Sequence, residues 1–349
     1  MTTAREGMRN IKSLQILRAL AATSVVYFHI KAEPVFGSFG VDIFFVLSGF
    51  LMAMIMATGE SATRFAVSRV SRIVPLYWIL TTSVLLLAAL KPELLNSTTA
   101  NLGNYARSLL FIPYFKENGA LHPMLAVGWT LNYEMFFYLC AWLVLLARAK
   151  ARHVQMISVA FLITAAYLAG KYASGTVAAE FFGTSLVFEF ILGMLAHAAY
   201  RKNILARFRK SHLFLTAAAS YMAMACLEIR EVDVPRVLLF GVPSTLLVMC
   251  FIGCEETRFV QESKLSGVLV SIGDASYATY LSHYYVVEGV RKIAHQKMDL
   301  IDPYTPFGIA VILGLALGCG SMMYVFVDRP LSRYFKRKLL HAGTAVQPH

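Results

Sequence analysis

Apolar residues come in runs of about 17 to 25, each followed by a shorter polar and often basic stretch, from near the start of the chain to near its end. Runs of this length predict helices that cross the hydrocarbon core of a bilayer, because about 20 helical residues span about 30 Å. The pattern predicts ten of them, at 13–31, 36–57, 73–90, 124–147, 156–173, 181–200, 213–229, 236–253, 267–290 and 307–327. Most connections are short, so a compact helical bundle is expected. The exception is Lys91 to Leu121, whose Tyr105 to Phe115 stretch is expected to lie along the membrane interface or to cap the bundle. Met1 to Lys12 is polar and basic ahead of an apolar run, as in a secretory signal. Arg18 interrupts that run and the next span follows at once, so a retained first helix is the better reading.

Composition agrees with a membrane as the solvent. Of 349 residues, 58% are hydrophobic and 15% charged, which leaves no stretch for a large soluble domain. There is no internal repeat, low-complexity tract or linker, so one transmembrane domain is expected over 1–340, with a short cytoplasmic tail at 341–349. The net charge of +12 does not indicate a nucleic-acid binder, since the Lys and Arg residues lie between apolar runs rather than on one arm or face. With the N-terminus inside, inward segments carry roughly twice the Lys and Arg of outward ones, which places both termini in the cytoplasm. Cys140, Cys226, Cys250, Cys254 and Cys319 lie in or beside apolar runs without metal-ligand spacing. They read as small packing residues, and no metal site is expected.

Charges inside a bilayer cost at least about 2 to 3 kcal/mol each, so every one asks for a reason. Arg18 and His29 fall in the first span, Asp42 in the second, Glu134 in the fourth, Glu189 in the sixth, and Asp274 and His283 in the ninth. Arg18 and His29 are eleven residues apart, close to three helical turns, so they share a face about 16 Å apart along the axis. Arg18 then sits toward the cytoplasm and His29 toward the outer leaflet. Asp42 enters the second span from the outer side at a similar depth to His29. An Asp beside a His can fix its tautomer and ready it as a base, although a polar pair that ties two helices together explains the residues too. Glu134 lies about midway along its span and would be protonated or paired with Arg18 or a histidine. Glu189 is accounted for equally by a hydrogen bond between helices. His283 sits beside a stripe of Tyr277, Tyr280 and Tyr284, a pattern that more often packs than reacts. Arg69 and Arg72, with Arg64 upstream, suit bidentate phosphate binding, but on spacing alone an ordinary cytoplasmic basic cluster explains them.

Taken in order, these residues resemble acyltransferase family 3, membrane proteins that include O-acetyltransferases of bacterial exopolysaccharides, O-antigens and nodulation factors. The resemblance rests on Arg18 followed by His29, on Gly40-Val-Asp-Ile-Phe-Phe-Val-Leu-Ser-Gly-Phe50, and on Arg69-x-x-Arg72 before Ile73, Pro75 and Tyr77. It continues through Trp129-Thr-Leu with Glu134 and Tyr138, Phe188-Glu-Phe-Ile-Leu-Gly193, Ser276-Tyr-x-x-Tyr-Leu-x-His283 and a closing Asp328-Arg-Pro330. The family usually closes with Glu where this chain has Asp328. Some relatives carry a soluble hydrolase-like domain after the membrane part, and no such domain is expected here.

The resemblance implies acyl-CoA, usually acetyl-CoA, as co-substrate, with no permanently bound cofactor. It implies as acceptor a hydroxyl of a lipid-linked or polymeric glycan, and as location the bacterial inner membrane. On this expectation His29 is the general base, with Asp42 or Glu134 orienting it. Arg69 and Arg72 hold the coenzyme's phosphates, and Arg18 lines its path. His283, Tyr280 and Glu189 line the site or meet the acceptor. A covalent acyl-histidine is a second chemical route. Two other classes stay open on the residues alone: a glycan transporter or flippase, since buried charges also mark transport pathways, and a non-catalytic partner in a polysaccharide assembly complex.

Overall fold

The computed structural model describes residues 11–95, 98–148, 151–172, 175–230, 232–297 and 302–344, and every regular element among them is helical. In chain order the first helices are α1 (Lys12–Ile30), α2 (Gly40–Met56), α3 (Ala62–Leu90), α4 (Leu102–Leu109), α5 (Trp129–Leu146), α6 (Arg152–Tyr172) and α7 (Val177–Phe182). There follow α8 (Phe188–Arg201), α9 (Lys210–Ile229), α10 (Val242–Gly253), α11 (Arg258–Glu262), α12 (Lys264–Asp274), α13 (Ser276–Lys297), α14 (Pro306–Met323) and α15 (Arg329–Thr344).

Among the described residues six helices are long and apolar enough to cross a membrane: Lys12–Ile30, Ala62–Leu90, Ala126–Leu146, Arg152–Tyr172, Lys210–Ile229 and Pro306–His341. Gly40–Met56 and Val237–Gly253 are apolar but shorter. The two remaining expected spans are helical and interrupted. The one at 181–200 divides among α7, a 3-10 turn at Ser185–Val187 and α8. The one at 267–290 divides at Ala275, which closes α12 just before α13 begins. Many apolar side chains on the long helices face outward, including Trp78, Leu86, Phe161, Phe214 and Leu315. Surfaces of this kind suit lipid rather than water.

The helices form two compact units, each built from two stretches of chain: Met1–Ala53 with Phe188–Tyr324, and Met54–Val187 with Val325–His349. In the first unit α1 packs against α12, α13 and α14, and Val26, Ile30, Ala32, Val287, Ile312 and Ala316 form a buried apolar core. Acids far away in sequence finish helix ends that local sequence leaves open. Ile11 has no capping side chain, and the Glu255 carboxylate accepts from the backbone N–H groups of Lys12 at 3.1 Å and Ser13 at 2.8 Å. Ahead of α2, the Glu228 carboxylate accepts from the N–H groups of Gly37 at 2.6 Å and Ser38 at 3.0 Å. Gly37 has φ +112°, and a Cβ there would lie 2.2 Å from the Ser24 carbonyl oxygen.

Backbones meet where glycine allows it. A Cβ at Gly49 would lie 2.1 Å from the carbonyl oxygen of Phe190, and one at Gly193 would lie 2.0 Å from that of Val46. Helices α2 and α8 therefore cross through paired glycines, the small-residue contact that replaces hydrophobic driving force inside lipid.

In the second unit α3 starts on Ser61, whose hydroxyl accepts from Arg64 N–H at 3.4 Å. Helix α3 packs against α5 and α15. The long connecting segment docks against the middle of α3. The Tyr77 hydroxyl donates to the carbonyl of Ser108 at 3.1 Å, and Trp78 Nε1 donates to that of Leu109 at 3.0 Å. The Ser108 hydroxyl also accepts from Met124 N–H at 3.0 Å and meets the Tyr114 hydroxyl at 2.9 Å. This segment is thus tied down by buried hydrogen bonds rather than left as a loose loop.

Candidate functional site

Among the described residues, polar side chains gather inside the helices of each unit, as a first cluster made of a histidine pair and an ionic group and a second cluster around Arg69 and Glu134. The first begins with His29 in the last turn of α1. Its Nδ1 lies 2.9 Å from the carbonyl oxygen of Val25, one turn back on the same helix. The same Nδ1 lies 3.2 Å from Nε2 of His283, and the two rings stand edge to face with centroids 4.8 Å apart. His283 is fully buried, and its own Nδ1 lies 2.6 Å from the carbonyl oxygen of Tyr280.

These contacts fix tautomers, because a carbonyl oxygen only accepts. In the neutral pair His283 carries its proton on Nδ1 and presents Nε2 as an acceptor. His29 likewise carries its proton on Nδ1, shared between the Val25 carbonyl and His283 Nε2. The basic nitrogen of His29 is therefore Nε2. If Nε2 takes a proton, the charged ring still has two acceptors on its other side, so the arrangement supports a general base. The ring of Tyr284 lies edge-on to His29 at 5.7 Å, and Tyr280, nearly buried, packs against Phe44 at 6.1 Å.

Arg18, lower on α1, donates from Nε to the Ser276 hydroxyl at 3.1 Å. Both Arg18 and His29 thus meet α13, as their shared face on α1 predicts.

Asp42 takes a different part from the one expected. Its two carboxylate oxygens accept from Nε and Nη2 of Arg236 at 2.9 and 2.7 Å, and Nη2 also reaches the hydroxyl and carbonyl of Ser38 at 3.3 Å. Asp42 is fully buried, and a bidentate guanidinium answers such a charge better than a single imidazole N–H does. The expected pairing of Asp42 with His29 is therefore corrected: Val25 and His283 hold the imidazole, and Asp42 ties α2 to Arg236. Glu189 is also fully buried and close enough to act electrostatically on Arg236 and Asp42, so it belongs to this ionic group.

The second cluster gathers Arg69, Arg72, Glu134 and Tyr138. The Tyr138 hydroxyl donates to the Glu134 carboxylate one turn away on α5. The Arg69 guanidinium lies 5.8 Å from the centre of the Tyr138 ring, and Arg69, Arg72 and Glu134 all act electrostatically on that hydroxyl. Arg69 Nη2 donates to the Ser68 hydroxyl at 3.0 Å, while its buried Nε meets no acceptor among the described residues. Glu134 thus accompanies Tyr138 and the arginines in this unit.

Arg236 and Tyr138 join these clusters, and sequence reasoning assigned neither of them a part. An arginine bordering an apolar run, as Arg236 does, is a natural partner for a buried Asp42 and is the signal that could have found it. Among the described residues no group of three or more His, Cys, Asp or Glu side chains could hold a metal ion.

Fold and clusters together define a multi-pass helical membrane protein with titratable groups held among its helices. Its family is shown by comparison: the acyltransferase domain of acyltransferase family 3 matches residues 11–340, and the chain belongs to that family and is an acyltransferase. The exopolysaccharide production protein ExoZ of Rhizobium meliloti (strain 1021) is 32% identical over 314 residues, covering 88% of this chain and 94% of ExoZ. Acyltransferase MdmB of Streptomyces mycarofaciens is 23% identical over 368 residues, covering 94% of this chain and 93% of MdmB. The peptidoglycan O-acetyltransferase OatA of Listeria monocytogenes is 25% identical over 316 residues, covering 82% of this chain but only 50% of OatA. No solved structure matches the chain.

Proposed function

We propose that this acyltransferase moves an acetyl group from acetyl-CoA to a hydroxyl of an exopolysaccharide or a similar cell-surface glycan, from the bacterial inner membrane. One observation carries the reading: His29 is held with its Nδ1 proton toward Val25 and His283, which makes Nε2 the base. In the reaction Nε2 removes the proton of the acceptor hydroxyl as the oxygen attacks the thioester carbonyl. The C–S bond then breaks, and the proton passes from Nε2 to the departing CoA sulfur, so the enzyme is returned unchanged. Arg69 and Arg72 are assigned the phosphates of the coenzyme. The unpartnered Nε of Arg69 supports this, since guanidinium groups bind phosphate through several N–H groups at once.

The acceptor class is supported by the names of ExoZ and OatA, one an exopolysaccharide production protein and the other a peptidoglycan O-acetyltransferase. Ten membrane crossings with both termini cytoplasmic remain part of the proposal. On that topology His29 lies near the outer leaflet, where a lipid-linked or growing glycan is presented. Nuclear magnetic resonance of cell-surface polysaccharide tests the function directly. The expected result is an O-acetyl signal in wild-type cells that disappears in deletion and His29→Ala strains. Unchanged acetylation in the deletion strain would reject it.

A further inference from the structure

Lys116 lies in the segment between α3 and α5, outside both clusters described above. It is 6% exposed, and its ammonium donates to the Thr98 hydroxyl at 2.9 Å. A buried ammonium ordinarily recovers its lost hydration from a carboxylate. The nearest acid in sequence, Glu117, is turned elsewhere: its Oε1 accepts from the Thr99 hydroxyl at 2.7 Å and from Asn104 Nδ2 at 3.1 Å. Lys116 takes part in neither of the ion pairs Arg236–Asp42 and Arg291–Glu288. An ammonium has three N–H donors, and a neutral hydroxyl occupies one of them.

The surroundings resemble a receptor for a charged sugar. A tight turn fixes the lysine backbone, with Lys116 N–H donating to the Ala120 carbonyl and Gly119 N–H to that of Lys116, both at 2.9 Å. Gly119, at φ +79°, permits that turn. The Lys116 charge reaches the exposed ring of His122, and that ring lies 6.4 Å from Trp129 at the start of α5. A cation that acts on one of two neighbouring flat rings suits a pyranose that carries a negative group: the rings take the apolar C–H face and the ammonium takes the charge.

We infer that Lys116, with His122 and Trp129, forms a binding subsite for a negatively charged group of the acceptor, either a sugar carboxylate or a diphosphate joining glycan to lipid. The inference rests on the proposed transfer to a glycan and on the topology that places this segment outside the cell. It adds to them that the acceptor is anionic.

The test uses the full chain in lipid nanodiscs, as wild type, Lys116→Gln and Lys116→Arg. Three probes serve as acceptors: a glucuronate-containing tetrasaccharide, its carboxyl-reduced counterpart, and a neutral tetrasaccharide on polyprenyl diphosphate. Binding is followed by calorimetric titration and transfer by acetyl incorporation. The expected result is that Lys116→Gln weakens binding and raises KM for one or both anionic probes about tenfold, that kcat and KM for acetyl-CoA stay put, and that Lys116→Arg largely restores affinity. Loss confined to the glucuronate probe assigns the sugar carboxylate, and loss confined to the diphosphate probe assigns the lipid linkage. Equal affinity of wild type and Lys116→Gln for every probe overturns the inference, as does an equal loss that extends to the carboxyl-reduced sugar. Binding that depends on Lys116 without any acetyl transfer would leave the subsite standing and reject the proposed function instead.

Discussion

At the scale of single residues, burial gives each charged group a different role according to what answers it. Asp42 is answered in full by Arg236, and such a pair fixes helices in place. His29 is answered on one nitrogen, by Val25 and His283, which leaves the other for chemistry. Lys116 is answered by a hydroxyl, and burial lowers its pKa from the ordinary 10.5 to about 8 against the opposing charge of Glu117. A base whose folded pKa is depressed costs stability when charged. Above about 10.5 the folded and unfolded states are both neutral and the cost is absent. As pH falls from 10.5 toward 8 the unfolded chain binds a proton that the folded chain refuses, so stability drops, and below 8 the cost is constant. Thermal melts of wild type and Lys116→Met should therefore diverge as pH is lowered through this window, the wild type losing ground. Parallel profiles would show that Lys116 is not buried in this way.

At the scale of elements, much of the helical pattern was legible from apolar run length, and the shared face of Arg18 and His29 was legible from helical geometry. Both side chains do meet α13. The interruptions at 183–187 and at Ala275 were not legible, because apolar content persists across them while the backbone turns. Nor were the long-range caps, since Glu228 at the end of its span and Glu255 beyond the next one each meet backbone N–H groups about 190 or more positions away. The glycines of α2 and α8 carry a prediction at this scale. Gly49→Leu or Gly193→Leu places atoms where the facing backbone already stands, at 2.1 and 2.0 Å from carbonyl oxygens for the first carbon alone. Overpacking typically costs about 1 to 3 kcal/mol, and here a rigid backbone is the obstacle. Each variant should lower the melting temperature in detergent by several degrees, whereas Gly314→Leu, whose Cβ position is open, should not. Equal behaviour of the three would contradict the crossing.

At the scale of the whole molecule, family membership joins the two units under one activity, with the matched acyltransferase domain covering residues 11–340. Family resemblance and the list of buried ions were readable along the chain, but the partners of those ions were not. His29 and His283 are 254 positions apart, Asp42 and Arg236 are 194 apart, and only the folded helices bring them together. The central claim is that His29 Nε2 is the general base and that His283 positions it. It is tested most directly by single-turnover acetyl transfer from labelled acetyl-CoA, with purified enzyme in nanodiscs and the glycan acceptor saturating. His29→Ala is expected to slow transfer by about 10² to 10⁴ while acetyl-CoA still binds, and His283→Ala to slow it less and shift the pH profile of the remaining rate. A His29→Ala enzyme that transfers acetyl at the wild-type rate would contradict it.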